Sequence, residues 1–101
     1  MSFCNFEWDR NKAESNIKEH GVTFEEAKSV FFDEFGRLIP DPDSSIGEEW
    51  FILLGQSSEI KTLVVCHCYK AEDGRIRSIS ARKATTHERK QYERFRYART
   101  I

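Results

Sequence analysis

The sequence predicts an α+β fold with two N-terminal helices, a small antiparallel β-sheet of three to four strands, and a C-terminal helix packed on that sheet. Three observations carry the prediction. Apolar residues recur at helical spacing near both ends of the chain, strand-length apolar runs lie between them, and pairs of residues suited to helix capping mark where the outer segments begin. A chain of 101 residues, 39% hydrophobic and 13% aromatic, has the size and apolar content of one domain spanning 1–101 with a core of its own.

Asp9 is placed to open the first helix, because its carboxylate can accept from the exposed amides of the first turn. That helix runs to about His20, and Gly21 supplies the left-handed stop. Thr23 and Glu26 form a capping box, followed by Phe24, Ala27, Val30 and Phe31 at helical spacing, so a second helix ends near Asp33. After Gly36, Arg37-Leu38-Ile39 reads as a strand halted by Pro40-Asp41-Pro42-Asp43, where each proline removes an amide donor.

Trp50 to Leu54 and Thr62 to Cys66 are apolar runs joined by the polar segment Gln56-Ser57-Ser58-Glu59, the pattern of an antiparallel hairpin. A loop at Ala71 to Gly74 precedes a strand from Arg75 to Ala81. Its alternation is broken: Ile76 and Ile79 fall on opposite faces of a regular strand, which requires a bulge or a second apolar layer. Thr85 and Glu88 form another capping box, and Tyr92 and Phe95 mark the inward stripe of a final helix. Its other faces carry Arg89, Lys90, Arg94, Arg96 and Arg99.

Charge is unevenly spread. Residues 1–59 hold five Lys/Arg and thirteen Asp/Glu, whereas residues 60–101 hold eleven and four. The near-neutral total conceals a basic face, the electrostatic footprint of a protein that contacts polyphosphate. No run of eighteen apolar residues exists, and MSFCNFEWDR lacks the regions of a signal peptide, so a cytoplasmic protein without a membrane partner is expected. Three cysteines, two of them flanking one residue of an apolar run, argue against a disulfide framework and read as reduced thiols.

The ordered blocks of the chain carry a resemblance. Phe6-Glu7-Trp8-Asp9, Lys12, Asn16 and His20-Gly21-Val22-Thr23-Phe24-Glu25-Glu26-Ala27 with Val30-Phe31 resemble the start of the BrnT family of bacterial toxins. Asp43 with Gly47-Glu48-Glu49, the apolar hairpin, and Arg75 to Thr85 closing with Glu88 and Tyr92 resemble its remainder. Ser78 departs from the pattern, standing where relatives commonly show an apolar residue, and the basic tail from Arg94 to Arg99 lies beyond the matched blocks.

The resemblance implies a ribonuclease toxin of a type II toxin–antitoxin pair that inhibits translation and growth, with a RelE-like fold. It also implies a BrnA-like ribbon-helix-helix antitoxin, and operator DNA bound through the joint complex.

RNA cleavage by a ribose 2′-hydroxyl needs a proton acceptor, a proton donor and fixed positive charge near the phosphoryl oxygens. Arginine suits the last role, since its planar fork stays charged and grips two phosphate oxygens. Arg75, Arg77 and Arg82 lie in or just after one strand. Arg82 stands foremost, at the handover to the last helix beside Lys83 and Thr85, where backbone amides add positive potential. The structural alternative is that it pairs with Glu48 or Glu49. Arg75, Lys83 and Arg89 are the expected RNA-binding cations.

For proton transfer His20 is a candidate, although capping at the end of the first helix explains it equally. His67 points away from Cys66 and Cys68 on its strand, toward a possible substrate face. His87 is expected to be exposed. Glu48 and Glu49 are candidate bases; Tyr92 is a candidate acid or base-stacking group, or a core residue on the inward stripe. These alternatives leave the base unassigned.

Cys66-His67-Cys68 does not complete a tetrahedral metal site, so neither metal nor other cofactor is expected. The alternative to a metal-independent endoribonuclease is a non-catalytic basic module that docks nucleic acid or an acidic protein.

Overall fold

Asp9 and Thr23 open the first two helices through their own side chains. The Asp9 carboxylate accepts from Lys12 N at 3.0 Å, and Thr23 Oγ1 accepts from Glu26 N at 3.0 Å. Gly21, at φ 69°, lets the chain turn out of the first helix in a conformation that a side chain would strain. The computed structural model describes residues 5–41, 49–70 and 74–98. Pro42, Asp43, Gly47, Glu48, residues 71–73 of the predicted loop, and Arg99 lie outside the described residues.

The elements are β1 (Asn5–Glu7), α1 (Arg10–His20), α2 (Phe24–Ser29), β2 (Arg37–Pro40), β3 (Glu49–Gln56), β4 (Thr62–Lys70), β5 (Arg75–Lys83) and α3 (Thr86–Ala98). A 3-10 turn over Val30–Phe32 continues α2. The sheet has five strands in the order β1-β5-β4-β3-β2. This corrects the expectation of three to four antiparallel strands, because β1 adds a fifth and pairs parallel to β5, with Asn5 opposite Arg75 and Glu7 opposite Arg77. Three residues are too few to show a strand period, and their partner lies at the other end of the chain.

One sheet face, here the inner face, packs under α1 and α2. Val22, Phe24, Ala27 and Val30 meet Leu53, Leu63, Val65 and Ala81 there. Full burial of a side chain such as Phe24 contributes roughly 1.5–3 kcal/mol. The outer face carries α3, whose Tyr92 is only 2% exposed and seats on Leu54 and Val64.

The phase conflict between Ile76 and Ile79 is resolved by a bulge. Cys66 pairs with Ser80 and His67 with Ser78, leaving Ile79 unmatched. The consequence reaches the arginines. Arg77 pairs with Cys68 and Arg82 with Val64, and those partners stand four residues apart on β4, so both arginines face outward despite their odd spacing.

Candidate active site

Three arginines of the outer face are held by carboxylates in different ways. Arg77 donates through Nε to Glu7 Oε2 at 2.9 Å, while Arg75 Nη1 donates to Glu7 Oε1 at 3.2 Å. Among the described residues no group accepts from the terminal nitrogens of Arg77. Glu7 therefore orients that guanidinium from the side and leaves its outer fork available. Arg82 is held at the fork itself: Nη1 donates to Glu88 Oε1 at 2.8 Å and Nη2 to Glu88 Oε2 at 3.0 Å.

Glu88 is also the capping-box partner of Thr85. Thr85 N donates to its Oε1 at 2.8 Å, and Glu88 N donates to Thr85 Oγ1 at 3.1 Å. Arg82 thus fastens the start of α3 to the sheet. The bond from Arg82 outweighs burial and holds the Glu88 carboxyl down at about 2.

Lys12, Asn16 and His20 are four residues apart and share the side of α1 that faces β5. Lys12 joins Glu7, Trp8, Asp9, Arg77 and Ser78 around a pocket of about 440 Å³. It also lines a groove of about 290 Å³ that continues past Ser80 to His20. Together they make a trough between α1 and β5 with Arg77 at one end and His20 at the other. His20 is exposed, its Nε2 3.8 Å from Glu19 Oε2.

The other sequence candidates lie elsewhere. His67 is on the inner face, 3% exposed, with its ring edge-on to Phe31 at 4.7 Å and stacked on Phe51 at 6.0 Å. Burial lowers its pKa and keeps it neutral. Glu49 shares that face, since it pairs with Tyr69 two residues beyond His67. Tyr92 donates to Asp33 Oδ2 at 2.5 Å and accepts from Arg96 Nη1 at 3.0 Å. Burial and the Asp33 bond push its phenol up to about 12. Lys83, His87 and Arg89 are exposed.

Cys66 and Cys68 are free thiols; burial and Asp41, 3.6 Å from Cys66 Sγ, push the Cys66 thiol up to about 11. Among the described residues no three His, Cys, Asp or Glu cluster as metal ligands. No helix there is long and apolar enough to cross a membrane.

The family model described as ribonuclease toxin, BrnT, of type II toxin–antitoxin system matches residues 8–88. The chain belongs to the BrnT family. No curated protein matches it significantly. BrnT membership makes the chain a type II toxin with ribonuclease activity and implies an antitoxin and an RNA substrate. The matched span contains Lys12, His20, Arg77 and Arg82, and it ends in the first turn of α3.

Sequence reasoning assigned no role to Lys12 or Glu7. The four-residue spacing of Lys12, Asn16 and His20 on one short helix was the available signal for the first. For Glu7 there was none, because its role depends on the parallel pairing of β1 with β5.

Proposed function

We propose that this BrnT toxin is a metal-independent endoribonuclease that cuts RNA in the trough between α1 and β5. The observation that carries the reading is the Arg77 fork, oriented by Glu7 and facing the same pocket as Lys12. A scissile phosphate seated against Lys12 has Arg77 on one side and His20 on the other.

In the proposed step the 2′-oxygen bonds to phosphorus while the bond to the 5′-oxygen breaks, giving a 2′,3′-cyclic phosphate and a 5′-hydroxyl. His20 takes the 2′-hydroxyl proton. Arg77 neutralises charge developing on the phosphoryl oxygens, and the Lys12 ammonium gives a proton to the departing 5′-oxygen as its bond to phosphorus breaks. Arg75, Lys83 and Arg89 draw in the flanking RNA, with Arg82 serving mainly to fasten α3.

On this reading the single domain acts in the cytoplasm, blocks translation and growth, and is neutralised by a BrnA-like ribbon-helix-helix antitoxin that takes the complex to operator DNA. The test is cleavage of a defined RNA by the purified chain in EDTA, with end analysis of the products. Cyclic phosphate ends made by wild type and lost with Arg77→Ala support it. Cleavage that needs added metal, or survives Arg77→Ala, overturns it, and binding without cleavage favours the non-catalytic module.

A further inference from the structure

The inner face of the sheet extends beyond the helices that cover it. Past the end of α2, Phe51, Tyr69 and Ile76 continue the apolar surface, and with Leu38 they line an open groove of about 530 Å³ floored by His67. Leu38 stands 58% exposed on the edge strand β2. Two charged residues line this groove, Asp33 and Glu49, and both are carboxylates. The oxygens of Asp33 already serve Tyr92, Phe35 and Gln56, which leaves exposed Glu49 to meet an arriving cation.

The groove lies on the face opposite the outward-pointing arginines. Its carboxylates and apolar walls disfavour a polyphosphate and suit an apolar segment flanked by lysine or arginine. A volume of about 530 Å³ has room for the apolar anchors that an amphipathic helix presents at successive turns.

We infer that this groove is a docking surface for an amphipathic, lysine- or arginine-flanked segment of the antitoxin. The inference rests on the toxin reading, which implies a protein partner, and not on where the RNA is cut. Charge complementarity selects the occupant: the charged residues that line the groove, Asp33 and Glu49, are both carboxylates. A segment bearing cations is attracted to that side and one bearing anions is repelled.

The experiment is calorimetric titration of the purified antitoxin encoded with this toxin into wild-type and Leu38→Arg chains, with circular dichroism confirming the fold. Leu38→Arg is expected to weaken binding at least tenfold while RNA cleavage stays within about twofold, and wild-type affinity is expected to fall with added salt. Hydrogen exchange should show antitoxin protection over 37–40, 49–56 and 62–70.

Unchanged affinity in Leu38→Arg, or protection confined to α1 and β5, overturns the inference. So does a finding that Leu38→Arg dissociates a homodimer and leaves antitoxin binding intact. If Arg77→Ala leaves cleavage intact, the catalytic trough falls and the docking groove stands; unchanged binding by Leu38→Arg has the opposite outcome.

Discussion

Asn16 bonds both backbone groups of Ala81. Its Oδ1 accepts from Ala81 N at 3.0 Å and its Nδ2 donates to Ala81 O at 2.8 Å, with a further bond from Nδ2 to Val22 O at 2.9 Å. β1 covers β5 only from Arg75 to Arg77, so at Ala81 a side chain takes the place of a neighbouring strand. The contact fixes α1 along β5 and aligns Lys12 and His20 beside the trough. Asn16→Ala leaves buried backbone groups without partners and is expected to cost about 3 kcal/mol. Urea unfolding checks this as a lower midpoint at an unchanged slope.

Ser78 presents the opposite case. Its Oγ is fully buried and has no partner among the described residues, at a strand position facing the inner core beside His67. An unsatisfied buried hydroxyl destabilises, so Ser78→Ala is expected to raise stability by about 1 kcal/mol. A melting temperature equal to or below that of wild type would count against this account.

Arg77 and Arg82 face the same way but should respond differently to truncation. Losing a preorganised contact to the developing oxyanion lowers kcat roughly 100- to 1000-fold, and that is the expected effect of Arg77→Ala. Lysine should not restore it, because a point charge cannot replace the fork. Arg82→Ala is expected to lower stability by about 1 kcal/mol and to reduce cleavage far less. Single-turnover rates on a short RNA, measured below each variant's melting temperature, separate the two.

The helix starts were legible because capping is local: Asp9, Thr23 and Thr85 each meet a group three residues away. The break in β5 was legible too, as a bulge or a second apolar layer, since Ile76 and Ile79 cannot both point inward on a regular strand; the pairing of Cys66 with Ser80 and His67 with Ser78 makes it a bulge. What could not be read depends on residues far apart in sequence. Glu7 reaches Arg77 only because β1 pairs with β5, and Arg82 turns outward only because Ile79 is left unmatched. Its partner was visible as the capping glutamate of α3, yet a carboxylate that caps a helix and also binds an arginine shows only one of those roles in sequence. His67 was placed opposite the cysteines by strand period, but period does not say which face the helices cover.

Acid should loosen α3 before the rest of the fold. The Arg82 bond holds Glu88 at about 2 against an ordinary 4.5, so the folded pKa lies below the unfolded one. The stabilisation is complete above pH 4.5 and is lost as pH falls toward 2. Since the Arg82 side chain is 41% exposed, solvent screening limits the effect to about 1 kcal/mol. His67 acts with the same sign at higher pH, because its buried neutral ring stabilises above 6.5 and opposes folding as it becomes protonated below. Stability curves for wild type and Glu88→Gln should converge below pH 4.5 and separate above it.

Gly55 couples the 3-10 turn to α3. A Cβ there would stand 2.8 Å from Val30 Cγ1 and 3.2 Å from Asp33 Oδ2, and that oxygen accepts from both Gln56 N and Tyr92. Gly55→Ala therefore pushes the turn away from β3 and stretches the bond by which Asp33 retains Tyr92. The expected cost is about 1–3 kcal/mol, with α3 losing hydrogen-exchange protection first. Tyr92→Phe removes the same bond from the other side. The two substitutions act on one contact, so the double variant should be more stable than the sum of single losses predicts, by about 0.5 kcal/mol or more. Strict additivity in urea unfolding would show that Gly55 and Tyr92 act through separate contacts.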